Sequence, residues 1–154
     1  MANAFDVAAY IVAWFGRKPR EENDLSSLKL QKLLYYCQGH FLALYGSPLF
    51  PEKIEAWEHG PVVSDVYRQS RHVIKGAAVI TADKWQQVGG SPDALSSKEK
   101  EFIREIIEVR GQFSAWRLRS MTHEEAPWCN AYVEGQKREI STESLQEYFR
   151  HFVV

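Results

Sequence analysis

Apolar residues in this chain recur mostly at helical spacing, and two segments carry the pattern most densely. NAFDVAAYIVAWFGRK offers Asn3 as an N-cap and Gly16 as the C′ residue, with apolar side chains facing nearly every direction between them. Such a helix belongs wedged into a core. RKPREEND then reads as a polar loop with a proline breaker. The next segment, SSLKLQKLLYYCQGHFLALYG, is the strongest helix. Ser26 or Ser27 caps it, Gly46 ends it, and Leu30, Leu33, Leu34, Cys37, Phe41 and Leu44 form one stripe. Leu28, Tyr35, Leu42 and Tyr45 broaden that stripe until the helix can only be the centre of the fold. Gly39 inside it costs about 1 kcal/mol relative to alanine, which suggests that another element approaches closely there or that the helix weakens.

Downstream the pattern is more broken. SPLFPEK is a turn-rich connector, and IEAWEH (54–59) reads as a short strand or extended segment. Gly60 fits a tight turn, and Pro61 fits the first position of a helix through VVSDVYRQSR, with Val62, Val63, Val66 and Tyr67 on its apolar side. Residues 75–97 form a weakly patterned, probable mobile connector, with AAVITA as a short edge strand and GGSPDALSS as loop. Ser96 and Glu99 make a capping box for KEKEFIREIIEVRG, whose buried face is Phe102, Ile103, Ile106, Ile107 and Val109. Ser114 caps FSAWRLRSMTH, with Ala115, Trp116, Leu118 and Met121 as its apolar contacts. Thr122 or His123 caps a short helix through EEAPW. A final helix starts at Ser141 or Thr142 and presents Leu145, Tyr148, Phe149 and Phe152. The expected fold is therefore mainly α: a compact single-domain helical bundle over 1–154, built around a central hydrophobic helix at about 28–45, with at most a small β-strand pair.

Composition narrows the function. The 154 residues are 45% hydrophobic, enough for a core without disulfides or metal. The net charge of −1 comes with only short basic clusters, at Arg17, Lys18 and Arg20, at Arg117 and Arg119, and at Lys137 and Arg138. These are solvated surface rather than a nucleic-acid footprint, which argues against a DNA-binding autoregulator. Cys37 and Cys129 stand far apart without a CxxC pair, so neither a zinc site nor a disulfide scaffold is expected. Cys37 lies on the apolar stripe as a small core residue, and Cys129 beside Trp128 reads the same way. The first residues carry no signal peptide, and the apolar run from Ala8 to Phe15 is too short to span a bilayer. The cytoplasm is the expected compartment.

The chemistry-bearing residue types form no recognisable active site. His59 in WEHGP could serve as a base, but its neighbour Glu58 points elsewhere in an extended segment, and no GxSxG elbow or Cys/His signature is present. Its plainer reading closes a strand-to-helix corner through a side-chain hydrogen bond. THEEAPW offers His123, Glu124 and Glu125, yet position 127 is proline and no second histidine completes HExxH. There is no Walker loop and no GxGxxG, and no cofactor or metal is expected. With five Trp, seven Tyr and eight Phe, the aromatic load leaves room for a surface cluster on Trp57, Trp85, Trp116 or Trp128 that would mark a protein partner.

Taken together, KLQKLLYYCQGHFLALYGSPLF, IEAWEHGPVVSDVY and LRSMTHEEAPW resemble the Panacea antitoxin domain, the SocA-like, phage-associated family. The resemblance runs nearly the length of the chain, from the AAYIVAWF helix to the ISTESLQEYF helix. Its signature residues are Lys29, Leu30, Lys32, Leu33 and Tyr35 on the central helix, Trp57, Gly60, Pro61 and Val62 at the corner, and Thr122, His123, Pro127 and Trp128. The corner and the Thr122–Trp128 segment are expected to pack together around the central helix. The resemblance implies the antitoxin half of a type II toxin–antitoxin pair, often in mobile or prophage DNA. It implies a cognate toxin encoded next door, neutralised by direct binding, and in one branch delivery of the toxin to a cytoplasmic AAA+ protease. It brings no catalytic set, no cofactor and no membrane; many members carry an extra terminal segment, and because this sequence has almost nothing beyond the domain, partner specificity is expected on the domain itself. The competing reading is a small hydrolase using His59 or His123 with Glu124 or Glu125, which requires those side chains to converge on one pocket.

Overall fold

The two densest apolar segments form the axis of the fold. In the computed structural model, which describes residues 2–152, helix α1 spans Ala4–Phe15 and helix α2 spans Ser27–Tyr45. Asn3 and Asp6 form a capping box for α1. The Ser26 hydroxyl accepts from the Lys29 amide, and Gly46 closes α2 in the left-handed region at φ 75°. Every residue of α2 from Lys29 to His40 is buried, because other elements pack around its whole circumference. The stripe does not extend to its last turn, where Leu44 is 63% exposed. Gly39 is the point of close approach: a Cβ there would meet the Phe149 ring at 2.2 Å.

After α2, strand β1 (Ile54–Trp57) turns back into β2 (Gly60–Val63), with Trp57 paired to Gly60 across Glu58 and His59. Pro61 is therefore a strand residue paired with Ala56, not the first residue of a helix, and α3 (Ser64–Ser70) begins three residues later. An edge strand tolerates proline, since its missing N–H can face away from the partner. Gln31 of α2 fixes this geometry by accepting from the Val63 amide at 2.7 Å and donating to its carbonyl at 3.4 Å. A third strand, β3 (Arg138–Ile140), pairs antiparallel to the other side of β1, giving the order β2-β1-β3. The fold is the mainly helical bundle the periodicity predicts, with one short strand added to the pair.

The expected edge strand AAVITA does not form. Ile80 is buried with its amide on the Leu25 carbonyl, and Thr81 caps a short helix α4 (Ala82–Gln86) that buries Trp85. Among the described residues, no neighbouring strand lies there to pair with it. Helix α5 (Ser97–Arg110) starts at the Ser96–Glu99 capping box, α6 (Ala115–Thr122) at Ser114, and α8 (Thr142–Phe149) at Ser141. Between the last two, α7 (Ala126–Ala131) begins after Glu125, with Pro127 in its first turn. Neither Thr122 nor His123 caps it. Thr122 ends α6, and its hydroxyl donates back to the Arg119 carbonyl at 2.8 Å. Val109, Trp116 and Phe152, expected to pack inward, are 49%, 62% and 47% exposed. A single hydrophobic cluster joins buried residues from Ala2 to Phe149.

Candidate functional site

The hairpin corner, α2 and the α6–α7 turn are laced together by short polar contacts. Gly60 sits at φ +112°, and a Cβ on it would lie 2.5 Å from Lys32 Cε and 2.9 Å from Thr122 Oγ1. Only glycine lets the Lys32 stem and Thr122 crowd the turn this closely. Lys32 Nζ, fully buried, donates to the Pro61 carbonyl at 3.0 Å. Burial pushes this amine down to about 7, and the Arg119 charge adds to the push. His123 faces one carbonyl from each ring nitrogen, Arg119 O at 2.7 Å from Nδ1 and Glu58 O at 2.8 Å from Nε2. Trp128 Nε1 donates to the Trp57 carbonyl at 2.7 Å, and Arg119 Nε donates to His59 Nδ1 at 3.1 Å. The structure thus brings Lys32, Trp57, Gly60, Pro61, Thr122, His123 and Trp128 into one clasp.

Of the other signature residues, Lys29, Leu30, Leu33 and Tyr35 lie elsewhere on α2, Val62 on β2 and Pro127 on α7. Leu30 and Leu33 are core. Lys29 Nζ meets Asp24 at 2.8 Å and donates to the Gly111 carbonyl at 2.7 Å; burial lowers its pKa and the Asp24 carboxylate opposes that. Tyr35 and Tyr36 donate to the two oxygens of buried Glu125, at 2.9 and 2.8 Å. Burial raises the Glu125 pKa, and the bonds from Tyr36 and Tyr35 pull the other way. The Arg110 guanidinium lies 4.1 Å from the Tyr36 ring centre and 3.5 Å from His40 Nε2. Burial, with Arg110 contributing, pushes His40 down to about 4. Pro127 is buried in the first turn of α7. Cys37 is buried, whereas Cys129 is exposed rather than core, with Sγ 3.1 Å from the His123 carbonyl.

This arrangement separates the residues of the hydrolase reading. His59 is exposed in a strand-to-strand turn rather than a strand-to-helix corner, and it accepts from Arg119. The His123 ring is spanned by two carbonyls, Glu124 is exposed, and Glu125 is committed to the tyrosines. Among the described residues, no hydrogen bond joins either histidine to Glu124 or Glu125, and no group of three or more His, Cys, Asp or Glu could hold a metal ion. No helix among them is long and apolar enough to cross a membrane.

Beside the clasp lies a groove of about 640 Å³, bounded by the Trp57–His59 turn, the start of α2, Tyr67 and the 132–137 loop. Leu28, Trp57, Val62, Tyr67 and Tyr132 line it, with Gln31 and Lys32 among its α2 residues. Trp57 packs edge-on against Tyr67 at 4.8 Å, and Lys137 Nζ lies 4.4 Å over the Trp57 ring. Nearby, Trp116 carries the Arg119 guanidinium at 4.4 Å. Tyr132 carries no sequence signal as a site residue, Gln31 stands only within the KLQKLLYY run, and Arg119 and Lys137 only within basic clusters that read as solvated surface. They lie on segments distant along the chain, and only the tertiary path joins them. The adjacent Lys137 and Arg138 were visible as a basic pair, but not what they stack on.

Two comparisons bear on this geometry. The family model described as Antitoxin SocA-like, Panacea domain matches residues 30–129, which include most of α2, the hairpin and the α6–α7 turn. A curated relative, Antitoxin SocA of Caulobacter vibrioides (strain NA1000 / CB15N), is 35% identical over 109 residues. That alignment covers 68% of this chain and 58% of the relative, so the chain spans little more than half of the relative's length. No solved structure matches at a significant level.

Proposed function

This chain belongs to the Antitoxin SocA-like, Panacea domain family, and from that membership we propose that it neutralises a cognate protein toxin by binding it directly. The observation that carries the reading is the family match across residues 30–129. Its support in the geometry is a set of aromatic and cationic side chains beside the clasp, half-buried Trp57 under exposed Lys137 and exposed Trp116 under half-buried Arg119, with the Trp, Tyr and Arg types that dominate protein-interface hot spots. In this reading the chain acts without catalysis, as one domain, and its partner is encoded beside it. Expressing each small open reading frame flanking its gene, alone and together with this chain, tests the proposal. The expected result is one frame that stops growth alone, grows normally with the chain and co-purifies with it. A set of harmless neighbours, or a toxic one that the chain neither rescues nor captures, overturns it.

A further inference from the structure

We propose that the groove between the Trp57–Gly60 turn, the start of α2 and the 132–137 loop is a docking site for a protein segment that presents one carboxylate beside an aromatic or aliphatic side chain. The identity of the partner as the toxin rests on the antitoxin reading; the chemistry of the segment does not.

The apolar half of the inference comes from the walls. Leu28, Val62, Trp57, Tyr67 and Tyr132 surround a volume of about 640 Å³, room for one or two large side chains. The carboxylate half comes from unpaired cations. Ion pairs among the described residues use Lys29, Lys53, His59, Arg68, Arg104, Arg150 and His151 as their basic members. Lys32 and Lys137, which line the groove, and Arg119, which adjoins it through His59, are in none of them. Lys137 and Arg119 instead rest on the faces of Trp57 and Trp116. Lys32 is the more telling of the three. It is fully buried and lines the groove, and its amine has one acceptor, Pro61 O, for up to three N–H donors. A buried ammonium without a counter-ion is costly, and a carboxylate seated in the groove offsets part of that cost across the groove wall rather than by contact, since Lys32 has no exposed surface. Burial already drives the free amine down to about 7, the direction a missing counter-ion gives.

The rim decides what kind of anion fits. Glu58 and Glu134 also line the groove and are exposed. They make the mouth mixed rather than uniformly basic, which penalises a phosphate backbone with its many charges far more than a single carboxylate seated beside Lys137 on an apolar stem. A protein segment with an Asp or Glu next to a Phe, Tyr, Leu or Ile supplies that combination.

Amide chemical shifts of the isotope-labelled chain, followed during titration with small probes, test the chemistry without the partner. Hydrocinnamate carries a ring and a carboxylate, phenethylamine a ring and an ammonium, and acetate a carboxylate alone. Hydrocinnamate should shift amides concentrated at 57–62 and 132–137, with phenethylamine and acetate each weaker by about tenfold or more. Lys137→Glu should weaken hydrocinnamate similarly at an unchanged thermal midpoint. The proposal falls if either control matches hydrocinnamate, if shifts scatter over the surface, or if none appear up to about 10 mM. It also falls if the same amides shift with protein concentration alone, which would mean that a second copy fills the groove. Capture of the toxin found by co-expression then separates the two readings. If the native chain rescues and captures it but Lys137→Glu and Tyr132→Ala capture it equally well, the groove proposal fails and the antitoxin reading stands. If every neighbour is harmless, or the native chain neither rescues nor captures a toxic one, the antitoxin reading fails, and the hydrocinnamate titration still decides the groove.

Discussion

At Gly60 the backbone adopts φ +112° and leaves no space for a Cβ between Lys32 and Thr122. Alanine there meets both a strained conformation and two buried neighbours, so Gly60→Ala should cost about 2 kcal/mol or more in urea unfolding. A loss of a few tenths would mean that the corner relaxes around the new methyl. The Lys32 stem that Gly60 admits ends in an amine held at about 7 instead of 10.5. The native state therefore binds this proton less tightly than the unfolded chain, and stability rises as pH increases from about 7 toward 10.5. Lys32→Met has no such proton to lose. The native chain should gain about 2 kcal/mol relative to Lys32→Met between roughly pH 7 and pH 9, read from paired denaturant curves. A constant difference across that range would show that Lys32 finds solvent or a counter-ion in the folded state.

Helix α8 packs along α2 with Leu145 and Phe149 buried, and the Phe149 ring sits in the notch at Gly39. Phe149 is buried, and its Cε2 lies where a Cβ on Gly39 would be, 2.2 Å away. Helix propensity and packing make opposite predictions for Gly39→Ala. Propensity alone favours alanine in a helix interior by about 1 kcal/mol. Packing forces the ring out, and the backbone of two helices must separate to let it go, so Gly39→Ala should be net destabilising. Phe149→Ala should cost about 3–5 kcal/mol by emptying the same contact. If Gly39→Ala were stabilising, α8 would have to dock more loosely than the ring contact implies. The close approach at Gly39 was legible in the chain, because a glycine inside so apolar a helix needs a reason. So were the caps at Asn3, Ser96 and Ser114, and those at Ser26 and Ser141 to within one residue, since each is a local event whose donor and acceptor lie within three residues. The hairpin corner was less legible. A proline opening a helix and a proline on an edge strand look alike until the partner strand is known, so the sequence predicts a helix start at Pro61 where the structure has a strand. Three-residue β3 falls below any periodic signal, and AAVITA had the composition of a strand without a neighbour to pair with. The groove was illegible for the same reason: its walls come from α2, the hairpin and the 132–137 loop, and nothing local marks Tyr132 or Lys137 as facing Trp57.

Across the whole molecule, α2 carries two polar systems through one core. Gln31 and Lys32 hold the hairpin, and a turn later Tyr35, Tyr36 and His40 meet Glu125, Arg110 and Phe149. The second system makes global stability respond to acid in two opposed ways. His40 is pushed down to about 4 from 6.5, so the unfolded chain takes up its proton first, and stability is lost as pH falls between those values. Glu125 is raised above 4.5, so the native state holds its proton more tightly, and stability is regained as pH falls through the Glu125 folded value. The groups share Arg110 as a neighbour: it disfavours charge on His40 and favours it on Glu125. His40→Phe removes the first response. Relative to the native chain it should gain on the order of 2 kcal/mol between about pH 6.5 and pH 4. Glu125→Gln removes the second response while keeping an acceptor for one of the two tyrosine hydroxyls, and relative to the native chain it should lose ground over the acid part of the same window. Thermal or urea unfolding of the three proteins across that range reads both signs at once. Opposite slopes for the two variants would mean that the buried network, rather than the surface ion pairs, sets the acid limit of the fold. Parallel slopes would mean that His40 and Glu125 do not titrate from within the core, and the polar cluster behind α2 would then be open to water.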